Sequence, residues 1–442
     1  MIVVIGGGPA GRIGAMHLAH AGREVRLIEK RKIGGQCLHD RCMTICALND
    51  IARLIEYART QKDLGILDSV PAVSYPAVVR RMRDVQEKLS TVLDVETRRA
   101  GVEIVYGAEG RLEEDRVFVD DEEVRADAVL AATGSRAAIP DIPGTDLAGV
   151  YTYQTLPDME ELPCRMVIIG GGVVAAEFAH VFRAFGSNVD IIARHEVLRG
   201  LDGKVRAAAI RDLSGVEIRE ETAVLRIEGS DRVRSVLLAG GEEIEADAVL
   251  LATGLLPRSE SLQGLKKGPD GAVIVDRRMR TSVEGVYAAG DVIGPPYLTP
   301  AARREGTVAA ENILGHPAIM DYTGIPQAMS LRYDYAFAAT GAADGEGVTL
   351  SAPAPAGPGS FWDVAGGWAG LAQVRIDPET GRLVGAAACV PGAATLLSYV
   401  GYLMKRGITA SDFDDIVEVH PSTDGVYGLA RYAADMLRKR DG

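Results

Sequence analysis

An α/β fold with two nucleotide-binding units and a C-terminal α+β unit is what this sequence predicts, on three observations. First, an apolar strand, a glycine-rich turn and an Ala-rich helix follow one another twice, over residues 2–21 and 166–185, the order that builds a Rossmann-like βα unit. Second, each copy has a later echo, Ala128-Val-Leu-Ala-Ala-Thr-Gly134 and Ala248-Val-Leu-Leu-Ala-Thr-Gly254, a buried strand running into a turn. Third, from about His316 the glycine motifs stop and the composition changes. A chain of 442 residues with 47% hydrophobic composition exceeds the roughly 250 residues at which a single core stops growing. Three domains are therefore expected: 1–149 joined to 269–316, then 150–268, then 317–442.

The first element is a strand from Ile2 that opens into Gly6-x-Gly8-Pro9-Ala10-Gly11 and a helix. Without side chains there, a pyrophosphate can approach backbone N–H groups at the positive end of the helix. The next strand, Val25-Arg-Leu-Ile28, ends in Glu29 and Lys30, and Glu29 stands where a carboxylate accepts hydrogen bonds from an adenosine ribose. Residues 75–100 carry Val78, Met82, Val85, Leu89 and Val92 at helical spacing, which reads as a helix packed on the core by that face. A Pro-rich connection at 139–143 leads to the second unit. That unit reads Gly170-x-Gly172-x-x-Ala175-x-Glu177, and its following strand ends in Arg194 and His195, with Arg199 nearby, where a carboxylate would select NADH. Arginines there attract a 2′-phosphate in forked hydrogen bonds, so NADPH is expected over NADH; the bland alternative is a solvated basic cluster at a strand end. Later, Gly285-Val-Tyr-Ala-Ala-Gly-Asp291 reads as a strand whose terminal Asp291 can hold a ribityl chain, followed by a helix from about Thr299 whose positive end would face a flavin. In the last third, Ala372-Gln-Val-Arg-Ile376 reads as a strand, 393–406 as a helix and 351–360 as a connecting loop.

Composition excludes several functions. The formal charge is −13, with no dense Lys/Arg block to follow a phosphate backbone, so nucleic acid is not an expected partner. No apolar run approaches the roughly 18 residues of a membrane helix, and the chain enters a strand at Ile2 with no basic segment before it; a cytoplasmic protein without a membrane partner is expected. Five cysteines, Cys37, Cys42, Cys46, Cys164 and Cys389, are too few for a secreted disulfide scaffold. Three of them fall within ten positions, which points to redox or metal chemistry. In Gly34-Gly35-Gln36-Cys37-Leu-His-Asp-Arg-Cys42 four residues separate the first two. Zinc sites use closer spacing and a second ligand pair, which is absent, so no metal is expected. A helix starting near Arg41 makes a Cys37–Cys42 disulfide geometrically plausible.

With these residues in view, the chain resembles the pyridine nucleotide-disulfide oxidoreductase family, which includes glutathione reductase, dihydrolipoamide dehydrogenase and mercuric reductase. The resemblance runs nearly the whole length: both glycine motifs, the Gly-Gly-x-Cys-x-x-x-x-Cys segment, Ala132-Thr133-Gly134-Ser135, Gly290-Asp291 with Leu298-Thr299-Pro300, and His420-Pro421 near the end. It implies FAD in the first unit and a nicotinamide in the second. Beyond the residues above, Gly35, Gln36, Ala108, Thr133, Gly134, Ser135, Leu298, Thr299 and Ala301 would contact FAD, and Gly254 the nicotinamide cofactor. It further implies a homodimer through the C-terminal domain. Cys42 would exchange electrons with the flavin, Cys37 would attack a substrate disulfide, and His420 would reach across the interface as acid, with Asp424 as its candidate orienting group because Gly425 stands at the family's glutamate position. A nearby imidazolium favours thiolate formation.

The chain also departs from the family. Met43-Thr44-Ile45-Cys46 replaces the usual x-Pro-Ser-Lys, so Cys46 stands at the lysine position, Glu177 loses its partner and the flavin a neighbouring cation, which lowers its potential. Cys46 reads either as a third redox thiol or, preferably, as a small buried side chain. Arg41 replaces a usual glycine and adds a cation beside Cys42. The NADPH-type strand end disfavours dihydrolipoamide dehydrogenase, and the lack of a C-terminal cysteine pair disfavours mercuric reductase and large thioredoxin reductases. The expected function is transfer of electrons from NADPH through FAD and Cys37–Cys42 to a small-molecule or protein disulfide. The alternatives are a flavin-direct oxidase, quinone reductase or transhydrogenase, and a non-catalytic redox sensor on the same fold.

Overall fold

The computed structural model describes residues 1–340, 347–354, 366–367, 370–419 and 425–441. Strands Ile2–Ile5, Val25–Glu29, Val102–Tyr106, Ala128–Ala131 and Val286–Ala288 form a five-stranded sheet, parallel throughout, with Ile2–Ile5 at its centre. All four residues of the central strand are buried, as an all-parallel sheet covered on both faces requires. Helices Pro9–His20 and Thr299–Ile313 lie on one face against each other. The second sheet repeats the plan: Arg165–Ile169 at the centre, between Asn188–Ile192 and Ala248–Leu251, with Val216–Arg219 and Val150–Thr152 at its edges, again parallel. A third sheet is antiparallel, in the order Gln327–Ser330, Asp334–Ala339, Leu383–Cys389, Gly370–Ile376, Val348–Ala354. Helices Ala393–Lys405 and Gly425–Asp441 pack on it. Two nucleotide-binding α/β units and a C-terminal α+β unit are thus present as expected.

Strand pairing stitches the first two units together. Leu255–Pro257 pairs antiparallel with Ser135–Ala137, and Leu262–Gln263 runs parallel to Gly110–Glu113. Residues 351–354, expected in a loop, end the edge strand Val348–Ala354, while 355–360 lie outside the described residues. His420 and Asp424 also lie outside them. Among the described residues no helix is long and apolar enough to cross a membrane.

The helix expected over 75–100 forms as Tyr75–Arg99, but it turns a different stripe inward. Tyr75, Val79, Met82, Gln86 and Thr97 are buried, whereas Leu89 and Val92 are exposed. The buried set still follows 3.6-residue spacing; it is displaced because polar side chains satisfied inside the fold hold the contact. Gln86 Nε2 donates to the carbonyls of Leu38 and His39, and Tyr75 Oη to that of Leu156.

Candidate active site

The short helix Gly35–His39 carries Cys37, and the 22-residue helix Cys42–Asp63 begins on Cys42, with Arg41 as its N-cap residue. Both cysteines are free thiols and partly buried. They meet across Thr299, the first residue of the Thr299–Ile313 helix. Its Oγ1 donates to Cys37 Sγ at 3.2 Å and lies 3.7 Å from Cys42 Sγ. Cys42 also hydrogen-bonds Cys37, and that bond, helped by Thr299 and the charges of Arg303 and Arg41, lowers the Cys37 thiol to about 6 against the opposing effect of burial. The same bond holds the proton on Cys42, whose thiol is raised. The pair therefore divides its roles: one sulfur is charged at neutral pH and nucleophilic, and its neighbour keeps a transferable proton.

A cavity of about 440 Å³ opens beside these thiols. Of the residues expected at FAD, Gly6, Gly8, Pro9, Ala10, Glu29, Lys30, Gly35, Gln36, Ala108, Thr133, Gly134, Ser135, Asp291 and Thr299 line it together with both cysteines. Gly11 lies behind the wall: a Cβ there would meet the Gly6 carbonyl oxygen at 2.0 Å, so the helix can start this close to the strand only without a side chain. Leu298 precedes the helix, and Ala301 is buried in the core below, leaving Ala302 on the wall in its place. Glu29 accepts from the backbone N–H groups of Gly7 and Arg31, each at 2.7 Å, which holds its carboxylate in place at the cavity edge. A dinucleotide fits this chemistry: bare glycine backbone at a helix N-terminus for phosphate, and fixed carboxylates at Glu29 and Asp291 for hydroxyl groups.

One residue behind the wall was not legible in the motifs. Tyr153, buried just past the edge strand Val150–Thr152, donates from Oη to Gln36 Oε1 at 2.8 Å. Gln36 Nε2 in turn donates to Ser135 Oγ at 2.6 Å and Asp291 Oδ2 at 2.8 Å, and Ser135 Oγ donates to the same oxygen at 2.7 Å. The side chain next to Cys37 is thus locked by a tyrosine from the second unit. Arg41, expected as a cation beside Cys42, also lines the cavity, 4.0 Å from Asp291.

A second cavity of about 1010 Å³ is lined by Gly170, Gly172, Gly254, Arg194, His195 and Arg199. Ala175 is fully buried in the helix Val173–Phe185 and Glu177 lies elsewhere, so neither lines it. Glu177 Oε1 accepts from the Ser330 backbone N–H at 2.8 Å, and burial pushes the carboxyl up to about 7. It and Cys46 face the same neighbourhood: desolvation, with Cys42 and Glu177 beside it, raises the Cys46 thiol, although the residue as a whole is exposed. The buried reading of Cys46 is therefore corrected: the residue is exposed. Among the described residues no group of three or more His, Cys, Asp or Glu is placed to hold a metal ion.

Residues 1–306 match the family described as pyridine nucleotide-disulphide oxidoreductase. A dihydrolipoyl dehydrogenase of Acholeplasma laidlawii is 33% identical over 333 residues, covering 73% of this chain and 98% of the relative. Among solved structures, the HOCl-induced flavoprotein disulfide reductase RclA from Escherichia coli superposes with a TM-score of 0.85 at 24% identity, over 97% of this chain and 98% of its own. LpdA from Mycobacterium tuberculosis superposes with a TM-score of 0.85 at 23% identity, over 98% and 99%. These two likenesses establish the fold over nearly the full length.

Proposed function

Since this chain belongs to the pyridine nucleotide-disulphide oxidoreductase family, we propose that it takes electrons from NADPH, by way of FAD in the first cavity, to a Cys37–Cys42 disulfide and on to an external disulfide. FAD, held by the glycine turn, Glu29, the Gln36–Ser135–Asp291 network and Thr299, supplies the acceptor for hydride and the two-electron donor to sulfur. The observation that carries the proposal is the thiol pair, free, joined to Thr299 and on the wall of that cavity. Arg194, His195 and Arg199 on the second cavity support NADPH over NADH, as two arginines can fork onto a 2′-phosphate.

The chain's own chemistry follows from the two thiol states. The Cys37 thiolate attacks an acceptor disulfide, forming a mixed disulfide and expelling one thiolate. Cys42 then attacks Cys37 Sγ, closing the internal disulfide and expelling the second thiolate. The proton released by Cys42 goes to one leaving thiolate, and His420, the expected acid from a partner subunit, serves the other.

Anaerobic titration of the purified protein with NADPH, and separately with NADH, tests this. Two electrons from NADPH should leave oxidised flavin with a long-wavelength thiolate-to-flavin charge-transfer band, at lower cofactor concentration than NADH needs. Bleaching of the flavin without that band selects the flavin-direct oxidase or quinone reductase. Cys37→Ser should retain flavin and lose disulfide turnover to background; undiminished turnover rules the dithiol route out.

A further inference from the structure

The surroundings of Cys37 bear on what kind of disulfide reaches it. Thr299 and Arg303 are four residues apart in one helix, so they share a face, and Thr299 on that face donates to Cys37 Sγ. Arg303 is exposed, and its guanidinium has no hydrogen-bond or ion-pair partner among the described residues. Arg41, a quarter exposed, donates to the Tyr297 carbonyl at 3.5 Å and has its one carboxylate contact among the described residues at 4.0 Å, to Asp291. That carboxylate is already committed to Gln36 and Ser135. The remaining acids nearby offer little compensation. Asp40 is paired with Arg31 at 2.5 Å, and burial pushes the Glu177 carboxyl up, toward its neutral form. In a chain of net charge −13, the nucleophile thus feels the charge of two poorly compensated cations.

In the resting dithiol the Cys37 thiolate supplies the countercharge. Attack on a disulfide spends that charge: Cys37 becomes a neutral mixed disulfide and the negative charge moves to the leaving sulfur. Arg303 and Arg41 are then left facing the acceptor. Building on the disulfide-reductase reading above, we propose that the acceptor is an anionic disulfide, one carrying carboxylates within a few bonds of its sulfurs, and that Arg303 is the residue that selects it. The exposed guanidinium steers the anion in and offers a fork for its carboxylate. The net reaction balances as two protein thiols and one disulfide going to one protein disulfide and two acid-bearing thiols.

The test uses the FAD-loaded protein with saturating NADPH and two small acceptors of similar size, dithiodiglycolate, a dianion, and bis(2-hydroxyethyl) disulfide, which is neutral. At an ionic strength of about 20 mM the dianion should be favoured in kcat/KM by about tenfold, and the preference should shrink toward unity near 0.5 M salt, where the Debye length falls to about 4 Å. Arg303→Glu should remove or invert the preference, and Arg303→Gln should leave an intermediate one. Because any change in Cys37 reactivity acts on both acceptors alike, the ratio isolates recognition from nucleophilicity. A ratio near one in the wild type, or a preference that Arg303→Glu leaves untouched, overturns the anionic assignment while the reductase reading stands. Turnover of neither acceptor, with NADPH still reducing the flavin, overturns the reductase reading and this assignment with it.

Discussion

At the level of single residues, the chemistry turns on which of two thiols is charged. Cys37, lowered to about 6 chiefly by the hydrogen bond from Cys42, is a thiolate above that pH and a thiol below it. Alkylation of the reduced protein by iodoacetamide, monitored at Cys37, should therefore show a midpoint near 6 rather than at the roughly 8.5 of an ordinary thiol, with reactivity falling as the pH drops through it. In Cys42→Ala the leading cause is gone, and the midpoint should move up by one unit or more; a midpoint unmoved by that substitution would assign the shift to Thr299, Arg303 and Arg41 instead. The residues of this pair were legible from spacing alone, since Cys37-x-x-x-x-Cys42 after a glycine turn has few other uses. Thr299 was placed at the flavin rather than at sulfur, because a hydroxyl at a helix start has many possible partners and only packing chooses between them. Tyr153 had no signal at all: it sits just beyond a strand of the other unit and reaches Gln36 through a contact between residues 117 apart.

Among the elements, the loop that leaves the strand Asn188–Ile192 decides how Arg194, His195 and Arg199 face the second cavity. It is held by a strained residue and a side-chain clamp. Leu198 has φ +57°, a conformation that costs a β-carbon-bearing residue of order 1–2 kcal/mol, and its N–H donates to the Gly171 carbonyl at 2.7 Å. Glu220 accepts from the Val197 N–H at 2.6 Å and pairs with Arg206, which donates to the Val197 carbonyl at 2.7 Å. Glu220→Ala frees this loop without touching a cavity residue. It should raise KM for NADPH by about tenfold, about 1.4 kcal/mol, with kcat nearly constant and KM for NADH changed much less. An equal rise for both cofactors would show that the loop does not read the phosphate. The three basic residues could be read from their place at a strand end; the clamp could not, because Glu220 lies on the next strand's exit and its role depends on a parallel register that brings Arg219 beside Ile192. The helix Tyr75–Arg99 teaches the same lesson at its surface: apolar periodicity located the helix, but hydrogen-bonded Gln86 and Tyr75 determined which stripe went in.

For the whole molecule, the open question is what covers the C-terminal unit. Tyr399, Tyr402, Val417, Val419 and Tyr432 are all more than half exposed, Val417 at 95%, a concentration of large apolar side chains that a monomer rarely leaves in water. We propose that a second copy covers them, as the expected homodimer requires. Sedimentation at micromolar concentration should give a dimer, and Tyr399→Glu combined with Tyr402→Glu should give a monomer that still accepts electrons from NADPH but reduces disulfides at least about tenfold more slowly, as the partner's acid is lost. A wild-type monomer, or a variant that stays dimeric, would exclude this face. The sequence by itself determined the two βα repeats, a separate α+β third unit and the identity of the thiol pair, because strand period, glycine turns and cysteine spacing are local properties of the chain. Only the tertiary structure decided that Leu255–Pro257 pairs with Ser135–Ala137, that Tyr153 locks Gln36, that Glu177 leaves the second cavity for the Ser330 N–H, and that Arg303 stands without an ion-pair partner among the described residues. Each of these depends on contacts between residues far apart in sequence, where burial and hydrogen-bond satisfaction, rather than local propensity, select the partner.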